Sequence, residues 1–471
     1  MSSSAPPRPR VYTVPPGRPF LSALAEAVLS GDLPRQGGAP PTAAELPGWT
    51  ILMPTRRAAR TLQDAFLKAA RGRATLLPAI RPIAEGQEDL GLIEAAIGGD
   101  GSAPDDLATP AAIGAFERTL LLTELVLVWS RSVRAAPTAF SAEEAAMHHV
   151  AGVGAATPAQ AARLARELAR LIDAVETEDV SLANLGRLVP ENYSAHWQQT
   201  IDFLKIVTEF WPAHLAELAL VSPADRRNRL ILAEARRLTE RPPTGPVIVA
   251  GVTGSIPATA KLMQAVASLP DGAIVLPGLD PHLDAPSFAR LAEGHPEHPQ
   301  HGLAKLIAQL GLERHEITEL AGTALSADRR ARNRLVSEAM RPTGTMEGWR
   351  RLKAENPSAS LVRALADVAL IEAPTAEDEA EVVALILREA LETRGRTAAL
   401  VSPDRLLARR VAARLETWGI RVDDSAGRPF AKTVPGTFLE LVASAFSADF
   451  PPHALMALLK HPLTRLGLDA G

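Results

Sequence analysis

Two short β-prone segments, each cut by proline and then continued by an amphipathic helical pattern, constrain the fold of this chain more than any other feature. Val11-Tyr-Thr-Val14 is largely apolar and β-branched, Pro15-Pro-Gly-Arg18 interrupts it, and Pro19 opens a helical pattern with Phe20, Leu21, Leu24 and Val28 on one face. After a proline- and glycine-rich linker from Gln36 to Pro47, Trp49 to Met53 reads as a buried strand. Thr55 then caps a helix that carries Ala58, Ala59, Leu62, Phe66 and Leu67 inward. Neighbouring strands joined through helices pair in parallel, so the start of the chain predicts a doubly wound α/β sheet.

Further along, the texture changes and then returns. Between Pro110 and Arg241 long helical patterns follow one another (Ala115 to Val128, Pro158 to Val175, Trp197 to Leu220, Asp225 to Leu238) with almost no strand signal. Strands resume at Val247 to Ala250 and Ala273 to Leu276, with a helix from Pro257 to Leu269 between them. A second alternation of strand and helix is expected from Val368: strands at Val368 to Glu372, Thr397 to Val401 and Ile420 to Val422, and helices at Glu377 to Thr393 and Asp404 to Trp418.

Composition excludes several classes of protein. At 471 residues the chain is too long for a single core. It has no cysteine, which removes disulfides, thiolate metal sites, iron–sulfur ligation and cysteine nucleophiles, and agrees with a reducing, cytoplasmic setting. Met1 to Arg10 has no apolar core of the kind a signal peptide carries. The most apolar stretch, Leu120 to Trp129, contains Glu124 and is too short to span a bilayer, so no membrane partner is expected. With a net charge of −4, any nucleic-acid contact must come from local patches of arginine rather than from a global field.

Two α/β halves, the first interrupted by helices, are the plan of a superfamily-one helicase. Such a motor needs Gly-x-x-x-x-Gly-Lys-Ser/Thr after its first strand, so that backbone N–H groups and a lysine cradle phosphate. The loop here, Pro15-Pro-Gly17-Arg18-Pro19-Phe20, has neither the lysine nor the hydroxyl, and its prolines remove N–H donors. The later strand, where an Asp-Glu pair would hold magnesium, ends in Ala250-Gly251. Neither half of the ATP chemistry is present.

Several segments resemble one family. Val11 to Gly17 (VYTVPPG), Ile51 to Arg60 (ILMPTRRAAR), Val247 to Ala260 (VIVAGVTGSIPATA) and Ile274 to Asp280 (IVLPGLD) look like the AddB subunits of bacterial AddAB helicase–nucleases, which process double-strand breaks. Leu400 to Arg405 (LVSPDR) and Asp423 to Pro429 (DDSAGRP) resemble the same family. The resemblance implies two superfamily-one-helicase-like (RecA-like) parallel-sheet domains with a helical insertion in the first. Residues 1–10 are expected as a disordered tail, 11–109 with 242–355 as the first domain, 110–241 as the insertion, 360–435 as the start of a second α/β domain, and 436–471 as the start of a further, truncated helical region. It also implies DNA, as a single strand or break end, and an AddA-type motor subunit as partners in a heterodimer. The family's divalent-metal nuclease and iron–sulfur cluster belong to a carboxy-terminal portion that matches nothing here, so no cofactor and no catalytic residue are assigned.

Thr55, Arg56, Arg57 and Arg60 are the expected DNA-binding residues. They sit where such helicases place a strand-contacting motif, and cations at a helix N-terminus oppose the macrodipole unless an anion is near. The plain alternative is a solvated helix face. Asp225 to Arg229 and Asp328 to Arg334 are basic helix starts that are better read as solvated faces. Gly251-Val-Thr-Gly254-Ser-Ile-Pro257 lacks the third glycine of a dinucleotide loop and reads as a turn with proline at the first helical position. His295-Pro-Glu297-His298-Pro-Gln-His301 reads as a solvated loop, because its prolines prevent a helix that would align ligands. Two rival readings remain: a stand-alone two-domain enzyme of nucleotide-sugar-transferase type, and a partner-binding scaffold without DNA contact.

Overall fold

The computed structural model describes residues 8–83, 109–135, 157–181, 203–355, 358–427, 429–465 and 467. Most of the expected tail, residues 1–7, lies outside them, as does the beginning of the helix expected from Trp197. The chain divides into two compact units, Met1–Ala366 and Asp367–Gly471.

The first unit is built on a six-stranded sheet in the order β3-β2-β4-β5-β1-β6, parallel throughout. Its strands are β1 (Val11–Val14), β2 (Thr50–Met53), β3 (Ala79–Pro82), β4 (Val247–Ala250), β5 (Gly272–Pro277) and β6 (Thr318–Glu319). Side chains alternate across the pleat, and both faces are covered. Tyr12, Val14, Ile51, Met53, Ile248, Ala250, Ala273 and Val275 share one core with α1 (Phe20–Ser30) and α2 (Arg56–Ala69). Val11, Leu52, Val247, Val249, Ile274 and Leu276 face the opposite core. That second core also takes up later helices, α6, α7, α8 and α9, whose ranges follow.

Between β3 and β4 run α3 (Ala115–Ala135), α4 (Pro158–Thr177), α5 (Trp211–Glu217, entered through a π-turn at Ile206–Phe210) and α6 (Pro223–Glu240). Leu122, Val126, Ala165, Leu168, Ile172, Val207 and Trp211 give these helices a core of their own. The last helix is shared: Leu230, Ile231, Ala235 and Leu238 of α6 pack into the sheet core. Then α7 (Pro257–Ser268) leads to β5, and α8 (Ala285–Gly294) and α9 (His301–Gln309) lead to β6. Proline stands at the first position of α7, after left-handed turns at Gly251 and Gly254. Next come α10 (Ala327–Ala339), α11 (Gly348–Glu355) and α12 (Ser358–Ala364).

Two local expectations need correction. Leu67 is 59% exposed, because it follows Phe66 by one residue and the apolar stripe of α2 is already filled by Ala59, Leu62, Ala65 and Phe66. His301 opens α9 rather than lying in a loop, and its ring contacts the carbonyl oxygen of Leu291 at 2.6 Å.

In the second unit α13 (Ala376–Leu391) packs on α14 (Arg405–Thr417) through Ala380, Ala384, Leu407, Val411 and Leu415. Ion pairs Arg410–Glu377 (2.9 Å) and Arg414–Glu381 (2.5 Å) cross the same seam. Gly419, at φ 72°, ends α14. Two further helices follow, α15 (Val434–Ser447) and α16 (Pro452–Leu459). The three segments expected as strands around these helices do not pair among the described residues: Leu370 is 89% and Val401 93% exposed. A strand exists only through the neighbour that satisfies its backbone, and short apolar runs meet none here.

An arginine closes the first unit around α8. Asp284 caps α8 by accepting from the Ser287 N–H at 2.9 Å, and it accepts from Arg341 at 2.5 Å. The Arg341 side chain is 4% exposed and is also bound by both oxygens of Glu338 at 2.7 Å. Burial opposes ionisation of Asp284, but the bonds from Arg341 and Ser287 outweigh it and hold the carboxyl down at about 2. A folded-state value below the unfolded one, about 3.9, means stability that is present above pH 4 and lost as pH falls toward 2. In Asp284→Asn, the unfolding free energy measured by urea titration should therefore vary less with pH across that window. By the same logic of burial, Phe66→Ala should lower stability by about 3–5 kcal/mol, and Leu67→Ser by about 0.5 kcal/mol or less. Equal losses would contradict the facing of α2.

Candidate functional site

In a doubly wound sheet, ligands bind beyond the carboxyl ends of the strands, where adjacent crossovers leave toward opposite faces. This sheet has two such places. β1 leads to α1 on one face while its neighbour β5 leads to α8 on the other; β2 leads to α2 while its neighbour β4 leads to α7. The N-termini of these helices converge on this edge, which favours anions in principle.

At each crevice the chain itself lies close over a glycine at the strand end. At the β1–β5 edge, Pro16 lies against Gly278, where an added Cβ would stand 3.4 Å from its ring. At the β2–β4 edge, Phe20 and Pro54 cover Gly251, whose added Cβ would lie 3.3 Å from the phenyl ring and 3.6 Å from the proline. Gly251 also holds φ at 74°, a conformation that favours glycine. Ala250, which ends β4, is fully buried in the core beneath α1 and α2.

The loop between β1 and α1 is locked in the wrong sense for phosphate. The Pro16 carbonyl accepts from Asn333 at 3.0 Å, and the Gly17 carbonyl accepts from Arg329 at 3.0 Å. Arg18 reaches across to donate to the carbonyls of Gly322 (3.2 Å), Thr323 (3.2 Å) and Ala324 (2.7 Å). Prolines 15, 16 and 19 have no N–H, and that of Arg18 turns back to Pro15 at 3.3 Å. A phosphate cradle points N–H groups inward; this loop spends its carbonyls on the arginine and asparagine of α10. The residues therefore do not fit a nucleotide phosphate with magnesium, and the absence of cysteine leaves no donor set for an iron–sulfur cluster. Among the described residues, no cluster of three histidine, cysteine or acidic side chains is arranged to hold a metal ion. Nor is any helix among them long and apolar enough to cross a membrane.

The four residues expected to meet DNA lie beside the second crevice. Thr55 is the N-cap of α2, its hydroxyl accepting from the Ala58 N–H at 3.1 Å, so one of its lone pairs is committed to the fold. Arg56 is half-buried at the first position of the helix, and Arg57 and Arg60 are exposed. The first turn of α2 itself contains no acidic residue, although Arg56 and Arg57 both have partners within the protein.

The other basic runs are tied to the fold, although Arg329, Arg330 and Arg229 remain exposed to solvent as expected. In α10, Arg329 and Arg330 cap carbonyls of Gly17 and Leu325, and Arg332 binds those of Ala364 and Ala366. In α6, Arg226 donates to the Pro110 carbonyl at 3.1 Å, Arg227 to Thr177 at 2.6 Å, Asn228 to the Glu176 carbonyl at 2.7 Å, and Arg229 pairs with Asp225. Periodicity gives no warning of this, since a guanidinium that satisfies distant carbonyls has the same spacing as one in water.

Sequence reading also passed over the turn after β5. Asp280 accepts from the His282 N–H at 2.7 Å, its own N–H donates to Gln300 at 3.0 Å, and its carbonyl accepts from Arg314 at 3.1 Å. Burial pushes the His282 imidazole below its ordinary value; Asp280 resists the shift, while Arg334 and Arg314 add to it. This array braces the strand end beside Pro16, and its polar groups serve the turn.

Comparison of the sequence with protein-family models and with curated proteins gives no match.

Phe20→Ala should open the space over Gly251 without creating a nucleotide site, because the N–H donors remain missing. Calorimetric titration of that variant with ATP and magnesium should show no saturable heat. Binding would mean that the loop can turn its amides inward.

Proposed function

We propose that this chain is the non-catalytic, helicase-like part of a DNA double-strand break repair helicase–nuclease, which binds and guides DNA and docks an AddA-type motor subunit. One observation carries the reading: the parallel sheet keeps a nucleotide-binding plan while Pro16 and Phe20 lie close over glycines at its strand ends and α10 locks the phosphate loop. A motor core of this kind is useful as a surface and as a shape, with the energy supplied by a partner. The motif resemblance, which runs through Ile51 to Arg60 and Val247 to Ala260, points to the same role.

DNA engagement is assigned to the start of α2. Arg57 and Arg60 are exposed near the start of α2, the first turn of that helix holds no acidic residue, and the helix N-terminus itself favours an anion. Phosphate contacts position a strand without reading its bases, so little sequence preference is expected.

Salt titration of single-strand binding tests this reading. Each phosphate contact contributes a slope of about 0.7 in log affinity against log salt. Arg56→Ala with Arg57→Ala should flatten the slope by about one to two contacts. The fold should survive, since removing cations from a helix N-terminus does not weaken the dipole term. Coincident slopes from two folded proteins would move the DNA path away from α2, and no binding by the unaltered chain would remove DNA from the reading.

A further inference from the structure

Apart from the sheet edge, the helices between β3 and β4 line an open cleft of about 470 Å³. Its walls are apolar, from Ile172 and Val175 of α4, Val207, Leu215 of α5, and Leu220 with Val221 before α6. Its polar end is acidic: Glu176 and Asp225 face it, with Arg229 as the single cation, and Arg229 is already paired with Asp225 through bonds of 3.0 and 2.8 Å. A smaller cavity of about 220 Å³ adjoins it and shares Val175, Glu176, Asp225 and Arg229.

Two buried polar atoms at these cavities have no partner. Trp211, 2% exposed, lines the larger one, and its indole N–H meets no acceptor. The side-chain oxygen of Asn228, which lines the smaller one, meets no donor. Glu176, between the two, accepts from the hydroxyl of Ser222, which is 1% exposed. Burial pushes the Glu176 carboxyl up, and Asp225 and Asp173 add to the push against the Ser222 bond and the nearby Arg118. A cation placed here would let it ionise. Apolar walls with a half-buried carboxylate at one end suit a cation that carries an apolar body.

We propose that this cleft binds a small amine with an apolar or aromatic body, its ammonium set on Glu176 and its body against the apolar wall. Such a ligand would fasten α4, α5 and α6 together. Because α6 also packs on the sheet, occupancy would stiffen the junction between the helices and the α/β core. The inference does not depend on DNA binding.

Calorimetric titration of the whole chain with tyramine tests it, beside 3-(4-hydroxyphenyl)propionate, which has the same phenol on a carboxylate. Tyramine should saturate at one site per chain, with the carboxylate at least about tenfold weaker. Glu176→Gln should weaken tyramine by about tenfold. Ala216→Trp, at a lining position on the exposed side of α5, should abolish binding while far-ultraviolet circular dichroism stays unchanged. The proposal fails if tyramine gives no saturable heat, if the carboxylate binds as well, or if Glu176→Gln binds tyramine unchanged.

Discussion

The first unit depends on four strands being covered on both sides. β1, β2, β4 and β5 alternate their side chains into two cores, and residues such as Ile248, Val249, Ile274 and Val275 have no exposure at all. Each strand is only four to six residues long, so its own propensity decides little. Burial of each apolar side chain contributes about 1.5–3 kcal/mol, and that burial exists only if helices cover both faces. The crossovers, the order of the strands and the position of the carboxyl edge all follow from this demand.

On that frame, arginine acts mainly as a fastener for backbone carbonyls. Arg18 holds the turn after β6, Arg329 holds the loop after β1, and Arg332 holds the end of α12. Arg226 and Arg227 tie α6 to the segments around it. Its planar donor array suits this work, because one side chain satisfies several carbonyls that would otherwise face each other at a loop crossing. At the start of α2 the side chains of Arg57 and Arg60 are exposed, and the proposed contact with a DNA backbone rests on that exposure.

The covering of the strand-end glycines and the locking of the loop go together in this molecule. Pro16 occupies space against Gly278 while its carbonyl is held by Asn333, and Phe20 begins α1 while its ring covers Gly251. Substituting a single residue of the loop would supply neither room nor donors. Phosphate binding at this loop would require changing the loop and the face of α10 together.

Several features were determined by the sequence alone. The βα alternation with its proline breaks predicted the parallel sheet, and the cap at Thr55 set the start of α2, because each is a local pattern within a few residues. Tertiary structure alone decided the rest. β3 and β6 exist because Thr50 to Met53 and Tyr12 to Thr13 stand beside them, and Val368 to Glu372 stays unpaired among the described residues although it is more apolar than β6. The fate of each arginine run, the orphan indole of Trp211 and the position of Glu176 at a cleft also depend on residues brought together from distant parts of the chain. A pattern of spacing records which face a side chain takes on its own element; what it meets there is set by whichever element folds against it.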